Sequence, residues 1–556
     1  MSSSLIYGKD GIYRSPRPPI SIPKDPTMSM IPFLFRDISA ISKIPALVDA
    51  ETGVNLTFSD LRTQVFKLSL ALLNLNISKN DVVLILSPNS VLFPVCFLAI
   101  LSIGAIAAPA NPQYTVNELT KQVHDSNPRL VITRPPQYRN PRSASIYDKI
   151  KNFGLPCVML SPKTSTFTDR TTNNPIWYFQ ELMKSNDTSE VLTWPSVLQT
   201  DAAAILYSSG TTGTSKGVVL THRNFIASAL MTTSDQETFN DSKNVFLCFL
   251  PMFHVFGLST ILYAQLQRGN TVVVMARYEI EKVLMAVETY EVTHLYVVPP
   301  VIVAFVKQSE IVKRYDVSCL REIGTGAAPL GKDVMEGCAK IFPQAALYQG
   351  YGMTETCGVI SVESKKATTS RHSGSTGVLD PGVEAQIIDI HAMKPLPPSK
   401  TGEIQIRGLN VMQGYFKNQK ATSETIDDQG WLRTGDLGYF DEEGQLFVVD
   451  RIKELIKCNG FQVASAELEE LLLSHPKIKD AAVIGLADAE TGEVPIAYVV
   501  PSFINSLAEE EVKKFVAQQV APFKRLRKVI FVDEIPKSAS GKILRRELKQ
   551  KLISKL

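Results

Sequence analysis

Between Ile205 and His222 the chain reads ILYSSGTTGTSKGVVLTH, a polar run of Gly, Ser and Thr with one lysine between two apolar segments. Such a run can cradle phosphate. Gly210, Gly213 and Gly217 allow close backbone approach, hydroxyls and amides donate to phosphate oxygens, and Lys216 adds a positive charge. The spacing is not that of a Walker loop, whose lysine directly follows the second framework glycine and precedes Ser or Thr. Here Gly213 is followed by Thr214, Ser215 and Lys216, and the Gly541-Lys542 pair lacks the upstream glycine. By composition alone the run fits a flexible turn as well as a phosphate site.

Elements that could hold such a loop are legible around it. A chain of 556 residues exceeds what one hydrophobic core supports, so more than one domain is expected. Its 44% apolar and 20% charged residues are those of a folded chain rather than a disordered one. A formal charge of +3 over this length leaves no nucleic-acid footprint. The segments AAAILYS, VVLTH, NVFLCFL, NTVVVMA, HLYVVPP and EIQIRG read as strands, with helical stretches such as EKVLMAVETYE between them, a pattern of layered α/β structure. Val91 to Ala110 carries no charge, but Pro94, Ser102, Gly104 and Pro109 punctuate it, so a buried helix and then a buried strand are expected rather than a membrane span.

Near the C-terminus, Ser506 to Pro522 reads as a surface helix. Ser506 and Glu509 form a capping box, Glu509/Lys513 and Glu510/Lys514 are favourable pairs, and Val512, Phe515, Val516 and Val520 share one face. A small α+β domain is expected to end the chain. Cys96, Cys157, Cys248, Cys319, Cys338, Cys357 and Cys458 form no Cys-x-x-Cys pair, which excludes the common zinc spacings and implies a reducing compartment. The first thirty residues lack the apolar core of a secretory signal. The final Ser554, Lys555 and Leu556 spell the address read by the peroxisomal import receptor, or else a basic helix end.

Other motifs accompany the loop in fixed order: YQGYGMTET at Tyr348 to Thr356, RTGDLGYFDEEGQLFVVDRIKELIKCNGFQVASAELEE at Arg433 to Glu470, and PKSASGKILRREL at Pro536 to Leu548. Together they closely resemble the motifs of the adenylate-forming superfamily, the acyl-CoA synthetases, over nearly the whole chain. LPMFHVFGLS, GAAPLGKDV, GYGMTE and KELIKCNGFQV look most like the 4-coumarate:CoA ligase and ligase-like group, with firefly luciferase a near relative. The resemblance implies a large N-terminal α/β region, with helix-flanked sheets and a barrel-like part, over residues 1–453, and a small mobile α+β domain over 454–556. It implies two steps: a carboxylate attacks the α-phosphate of Mg-ATP to give an acyl-adenylate and pyrophosphate, and coenzyme A thiolate then displaces AMP.

The resemblance also assigns residues. Attack by one anion on another needs neutralised phosphate oxygens, which Ser208, Ser209, Gly210, Thr211, Thr212, Gly213, Lys216, Thr354 and a magnesium ion held through Glu355 would supply, with Gln349, Gly350 and Tyr351 beside the nucleotide. Asp436 would accept from the ribose hydroxyls and Arg451 would grip the same sugar; a surface salt bridge is their plainer reading. Lys542 would bridge the substrate carboxylate and the α-phosphate. The small domain would swing about Lys453, bringing Lys457 and Gln462 near the adenylate and Asn459 and Gly460 to the coenzyme A tunnel. His254 would guide the carboxylate, although a histidine between Phe253 and Val255 also reads as a core residue.

The chain departs from the 4-coumarate ligases in places. Those enzymes carry lysine at the position of Asn459 and proline where Ser465 and Ala539 stand; Arg277 could replace the lost contact to coenzyme A phosphate. The acid pocket is expected near Phe256, Gly257, Thr260, Gly324, Ala327, Gly350 and Val359. Phe256 replaces a tyrosine and Gly324 a lysine, so a larger, more apolar pocket is expected, suited to a cinnamate-like or extended arylpropenoic acid. A medium- or long-chain fatty or oxylipin acid is the alternative. More remote are a luciferase-like monooxygenase and a non-catalytic acyl- or nucleotide-binding protein; the second would be expected to lose Lys216, Glu355 or Lys542, all of which are present.

Overall fold

The computed structural model describes residues 6–134, 150, 153–161, 174–184, 194–208, 216–238, 243–328, 330–363, 374–458, 461–488, 491–503, 507–538 and 541–553. Four sheets organise them. In the eight-stranded sheet the antiparallel hairpin Ala202–Ser208 and Lys216–Thr221 abuts a parallel run formed by Ile106–Pro109, Val82–Leu86, Leu130–Thr133, Cys157–Met159 and Ile176–Tyr178. The nine-stranded sheet is parallel through its centre, where Ala346–Tyr351, Glu322–Thr325, His294–Val297, Val245–Cys248 and Thr271–Val274 lie side by side. These central strands read as unbroken apolar runs because helices cover both faces of such a sheet. The expected buried helix and strand are present as Leu92–Ser102 and Ile106–Pro109. Among the described residues no helix is long and apolar enough to cross a membrane.

The expected barrel-like part is an antiparallel sheet in the order Tyr13–Arg14, Glu384–Ile388, Gly402–Arg407, Leu432–Phe440, Leu446–Arg451. It ends at Arg451, and a further sheet with its own apolar clusters begins at Ile456. There Ile478–Asp488 and Gly492–Pro501 form a long antiparallel pair, flanked by Ile456–Cys458 and by Lys528–Phe531, which runs parallel to Gly492–Pro501.

The surface helix near the C-terminus differs from its sequence reading. It spans Glu509–Ala517 with Ala508 as its N-cap and no side-chain cap. Glu509 is drawn instead to the backbone of the neighbouring strand, where it accepts from the Val529 amide at 2.9 Å; Ser506 lies outside the described residues. The observed helix pair is Lys513 with Glu510 at 2.8 Å, three residues apart, rather than either of the four-residue pairs. Val512 and Val516 do face the core, as their spacing requires.

One buried ion group ties the last helix to this sheet. Arg545 Nη2 donates to Glu469 at 2.8 Å and to Ser465 Oγ at 3.0 Å, and Arg545 Nε lies 3.5 Å from Glu454. Burial lifts the Glu469 carboxyl to about 7 against the pull of Arg545. Ser465 Oγ and the Ala466 amide both reach Asp450 Oδ2, at 3.1 and 3.3 Å. Ser465, at the start of the helix Ser465–Ser474, thus ties that helix to the strand Leu446–Arg451. Arg545→Met strips the buried Glu469 of its partner and should lower unfolding free energy by about 3–5 kcal/mol, measured as a shift in the urea midpoint; a change within experimental scatter contradicts this role.

Candidate functional site

The hairpin Ala202–Ser208 and Lys216–Thr221 holds the ends of the polar loop; its register pairs Ser208 with Lys216. Residues 209–215 lie outside the described residues, and with them Ser209, Gly210, Thr211, Thr212 and Gly213. The ends themselves converge on Glu355. Ser208 Oγ and the Tyr415 hydroxyl donate to Glu355 Oε1 at 3.2 and 3.0 Å, while Lys216 Nζ sits 4.6 Å over the Tyr415 ring. Burial and the Glu355 charge push the Tyr415 hydroxyl above its ordinary range, so it stays a donor.

Beside this group, Tyr351 closes the strand Ala346–Tyr351 and donates to Asp436 Oδ2 at 2.6 Å; Asp436 Oδ1 lies 3.3 Å from Arg451 Nε. The Asp436 and Arg451 backbones pair directly across adjacent strands, so sheet register sets this ion pair.

Lys542 comes from the C-terminal segment to line a cavity within reach of the Arg451, Asp436 and Glu355 charges. Its turn is fastened by Ser538, which donates through its amide to the Lys542 carbonyl at 2.8 Å and accepts the Lys542 amide on Oγ at 3.2 Å. Gly541 holds φ +80°, and a Cβ there would come within 3.3 Å of Val298, so the turn lies against the end of the strand His294–Val297. Lys307 adds a second link, donating to the carbonyls of Ile478 at 2.6 Å and Lys479 at 3.1 Å. Burial lowers the Lys542 pKa and Arg451 lowers it further, against Asp436, Glu355 and Glu454.

His254 precedes a π-helical segment, Phe256–Tyr263, whose wide turn presents Phe256 and Thr260 to the cavity. Nδ1 of His254 accepts from the Phe256 amide at 3.3 Å, so the neutral ring carries its proton on Nε2. Burial drives its pKa down to about 3, and Lys542 adds to the fall.

Lys542, His254, Phe256, Thr260, Gly324, Ala327, Gly350, Tyr351, Thr354 and Val359 therefore line one cavity. Other expected residues do not. Gly257 instead permits a close approach, since a Cβ there would lie 2.9 Å from the Leu250 carbonyl oxygen. Gln349 turns its amide to Leu330, accepting from its N–H at 3.1 Å. Arg277 is exposed and ion-paired with Glu279 at 3.0 Å. Lys453 and Lys457 are exposed and away from the cavity lining. Asn459 and Gly460 lie outside the described residues, as does the Gln462 side chain.

The space beside Gly324 is already partly filled. A Cβ at Gly324 would lie 3.0 Å from both the Tyr296 and Tyr348 rings, so these rings occupy the space a larger residue would take. The Tyr348 hydroxyl donates to Glu322 Oε2 at 2.8 Å and lies 3.1 Å from the Tyr296 hydroxyl. Arg17, Asp235 and Asp380 also line the cavity. No local pattern marks them: Arg17 lies in the proline-rich SPRPP and Asp380 in an LDPG turn, and only the tertiary fold brings them together.

Among the described residues no three His, Cys, Asp or Glu side chains gather as a metal cage. A single carboxylate at Glu355 beside the hydroxyl of Ser208 still fits magnesium, which uses one or two carboxylates together with substrate phosphates.

His254 remains neutral down to about 3, so acid-dependent pyrophosphate release should show no step near its ordinary value of 6.5. A pH–rate profile with such a step, absent in His254→Gln, contradicts this. Tyr351→Phe frees the Asp436 carboxylate from its orienting bond and should raise the KM for ATP roughly tenfold, read by initial rates at saturating acid.

Comparison with known proteins places the chain in a family. The model of the AMP-binding enzyme family matches residues 36–416, and that of the AMP-binding enzyme C-terminal domain matches 467–542. The chain is 42% identical to a probable CoA ligase of Humulus lupulus, over all of this chain and 97% of the relative. It is also 42% identical to peroxisomal OPC-8:0-CoA ligase 1 of Arabidopsis thaliana, over 98% and 97% of the two. ATP-bound MatB of Rhodopseudomonas palustris superposes with a TM-score of 0.80 at 26% identity, covering 94% of this chain and 99% of MatB. The o-succinylbenzoate coenzyme A synthetase of Bacillus subtilis, solved with ATP and magnesium, superposes at 0.77 and 28%, covering 93% and 99%. The chain belongs to the AMP-binding enzymes, within their adenylate-forming, 4-coumarate:CoA ligase-like group.

Proposed function

We propose that this chain joins an extended, mainly apolar organic acid to coenzyme A, with Lys542 driving the first half-reaction; the underlying activity is the ATP-dependent acid–CoA ligation of its family, with magnesium as the metal. The observation that supports the reading is the meeting of Lys542, His254, Tyr351 and Thr354 in one cavity.

In the first step an oxygen of the substrate carboxylate forms a bond to the α-phosphorus of ATP, and the bond from that phosphorus to the departing pyrophosphate breaks. Lys542 places its ammonium between the two reacting anions, reducing their repulsion. Asp436, held by Tyr351 and Arg451, accepts from the ribose hydroxyls and fixes the nucleotide. The Nε2–H of His254 donates to the carboxylate without adding a charge that would trap it. Thr354, Lys216 and the loop from Ser208 neutralise phosphate oxygens. A magnesium ion at Glu355 supplies further charge neutralisation when bound. In the second step the coenzyme A thiolate attacks the acyl carbon and AMP leaves with the electron pair of the broken C–O bond.

The residue division is proposed at Lys453, with 1–453 binding ATP and acid and 454–556 mobile. Lys457 stands exposed while Lys542 faces the cavity, an arrangement suited to adenylation. Rotation about Lys453 would exchange the two faces for thioester formation, bringing Lys457 and Gln462 near the adenylate, with Asn459, Gly460 and Arg277 on the coenzyme A side.

A cinnamate-like or extended arylpropenoic acid suits the aromatic lining of Phe256, Tyr296 and Tyr348. A fatty or oxylipin acid is favoured by a different observation: the same cavity is also lined by Arg17 and Asp380, and one relative is named an OPC-8:0-CoA ligase. The same relative is named peroxisomal, which together with Ser554-Lys555-Leu556 supports import into that organelle; these three residues lie outside the described ones.

Lys542→Ala should slow acyl-adenylate formation by roughly two or more orders of magnitude, while thioester formation from supplied acyl-adenylate largely survives. Pyrophosphate release and acyl-CoA yield, measured separately, read the two halves; equal loss in both contradicts the role. Product ranking by mass from a mixed pool of cinnamic, benzoic, arylpentadienoic and fatty acids decides the acid, and silence across the pool would favour a binding protein.

A further inference from the structure

The cavity that holds Lys542 and His254 also reaches a second group of charges that the ligase reaction does not use. Arg17 Nη1 lies 3.1 Å from Asp380 Oδ1 and 3.6 Å from Asp235 Oδ2, and Nη2 donates to the Val362 carbonyl at 2.6 Å. The group is deep: the Arg17 side chain is 8% exposed and that of Asp380 0%. It is also incomplete. Arg17 Nε, Asp380 Oδ2, Thr232 Oγ1 and Thr325 Oγ1 are buried and make no hydrogen bond among the described residues, and all four residues line the cavity. Buried polar atoms are rarely left so, because each unmade bond forfeits its hydration without return.

The group is electrostatically separate from the reaction centre. The charges acting on Asp380 are Arg17 and Asp235, whereas those acting on Lys542 are Arg451, Asp436, Glu355 and Glu454. An acid whose carboxylate lies at Lys542 meets the Arg17 group with its other end. Two features select what that end carries. One guanidinium against two carboxyl groups leaves no spare positive charge for a second carboxylate. A purely hydrocarbon end would leave all four polar atoms unmade. An uncharged oxygen meets both requirements: it accepts from Arg17 Nε and, as a hydroxyl, also donates to Asp380 Oδ2 or a threonine oxygen. Burial lifts the Asp380 carboxyl to about 7 against Arg17, so it can accept from a hydroxyl or, protonated, donate to a ketone.

Building on the ligase reading above, we propose that Arg17, Asp380, Thr232 and Thr325 form a specificity site for an uncharged hydroxyl or keto oxygen at the end of the acid remote from its carboxylate.

The test compares four acids of one medium chain length: the alkanoic acid, its terminal hydroxy and penultimate keto counterparts, and the dicarboxylic acid. Each is assayed for acyl-CoA formation with ATP, magnesium and coenzyme A, and for binding by calorimetry, using wild type, Thr232→Val and Asp380→Asn. In the wild type, kcat/KM should favour the hydroxy or keto acid over the alkanoic acid roughly tenfold, with the dicarboxylic acid poorest. Thr232→Val should cut that ratio about fivefold. Asp380→Asn replaces an acceptor by an NH2 donor and should move preference from hydroxy towards keto acid. Ratios within one protein preparation cancel any loss of folded fraction. An alkanoic acid used as well as its oxygenated counterparts, a preferred dicarboxylic acid, or ratios unmoved by both substitutions overturns the site. Failure to form any thioester overturns the ligase reading instead, and the calorimetric ratios then decide the site by the same criteria.

Discussion

Two cations, Lys542 at the cavity wall and Arg451 beside it, lie close enough to repel, and the rest of the structure makes that tolerable. Lys542 and Arg451 act on each other unfavourably, and Lys542 also loses hydration by burial. Asp436, Glu355 and Glu454 oppose both effects, each fixed by its own contacts: Asp436 by Tyr351 and Arg451, Glu355 by Ser208 and Tyr415, Glu454 by Arg451 and Arg545. An ammonium held at such a point suits a phosphate oxygen carrying developing charge. The geometry is thus poised for an anion that bridges the two lobes.

Several features of the fold serve this meeting. Strand register, rather than side-chain flexibility, sets Asp436 against Arg451. The turn carrying Lys542 is fixed at one end by Ser538 and at the other by the helix whose Arg545 anchors on Glu469. The Gly541 approach to Val298 sets that turn against the nine-stranded sheet, and Lys307 fastens the strand Ile478–Asp488. Each of these is a small local contact, as the proposed rotation of the C-terminal domain requires.

Much of this was legible in the sequence, for identifiable reasons. Strands such as Ala202–Ser208 and Thr271–Val274 were readable because buried parallel sheets demand continuous apolar runs. Lys542, Asp436 and Glu355 were readable because their motifs are long and ordered along the chain. The cap of the helix Glu509–Ala517 was misread, since Glu509 found a better partner in the Val529 amide of a neighbouring strand. The polar part of the pocket was not legible, for a deeper reason. Gly324 implies space, but Tyr296 and Tyr348 fill it from adjacent strands, and Arg17 reaches Asp380 across 363 residues of chain. No local spacing encodes such meetings. Ser465 was visible as a departure from the family pattern, yet only its contacts with Asp450 and Arg545 show what it does.

The account turns on a single meeting of groups, and a crystal structure with a non-hydrolysable acyl-adenylate analogue tests it most directly. The expected result is Lys542 Nζ within hydrogen-bonding distance of the oxygens at the acyl–phosphate junction, with Asp436 on both ribose hydroxyls. An analogue bound in the cavity while Lys542 points to solvent, or one bound away from Asp436, would contradict it.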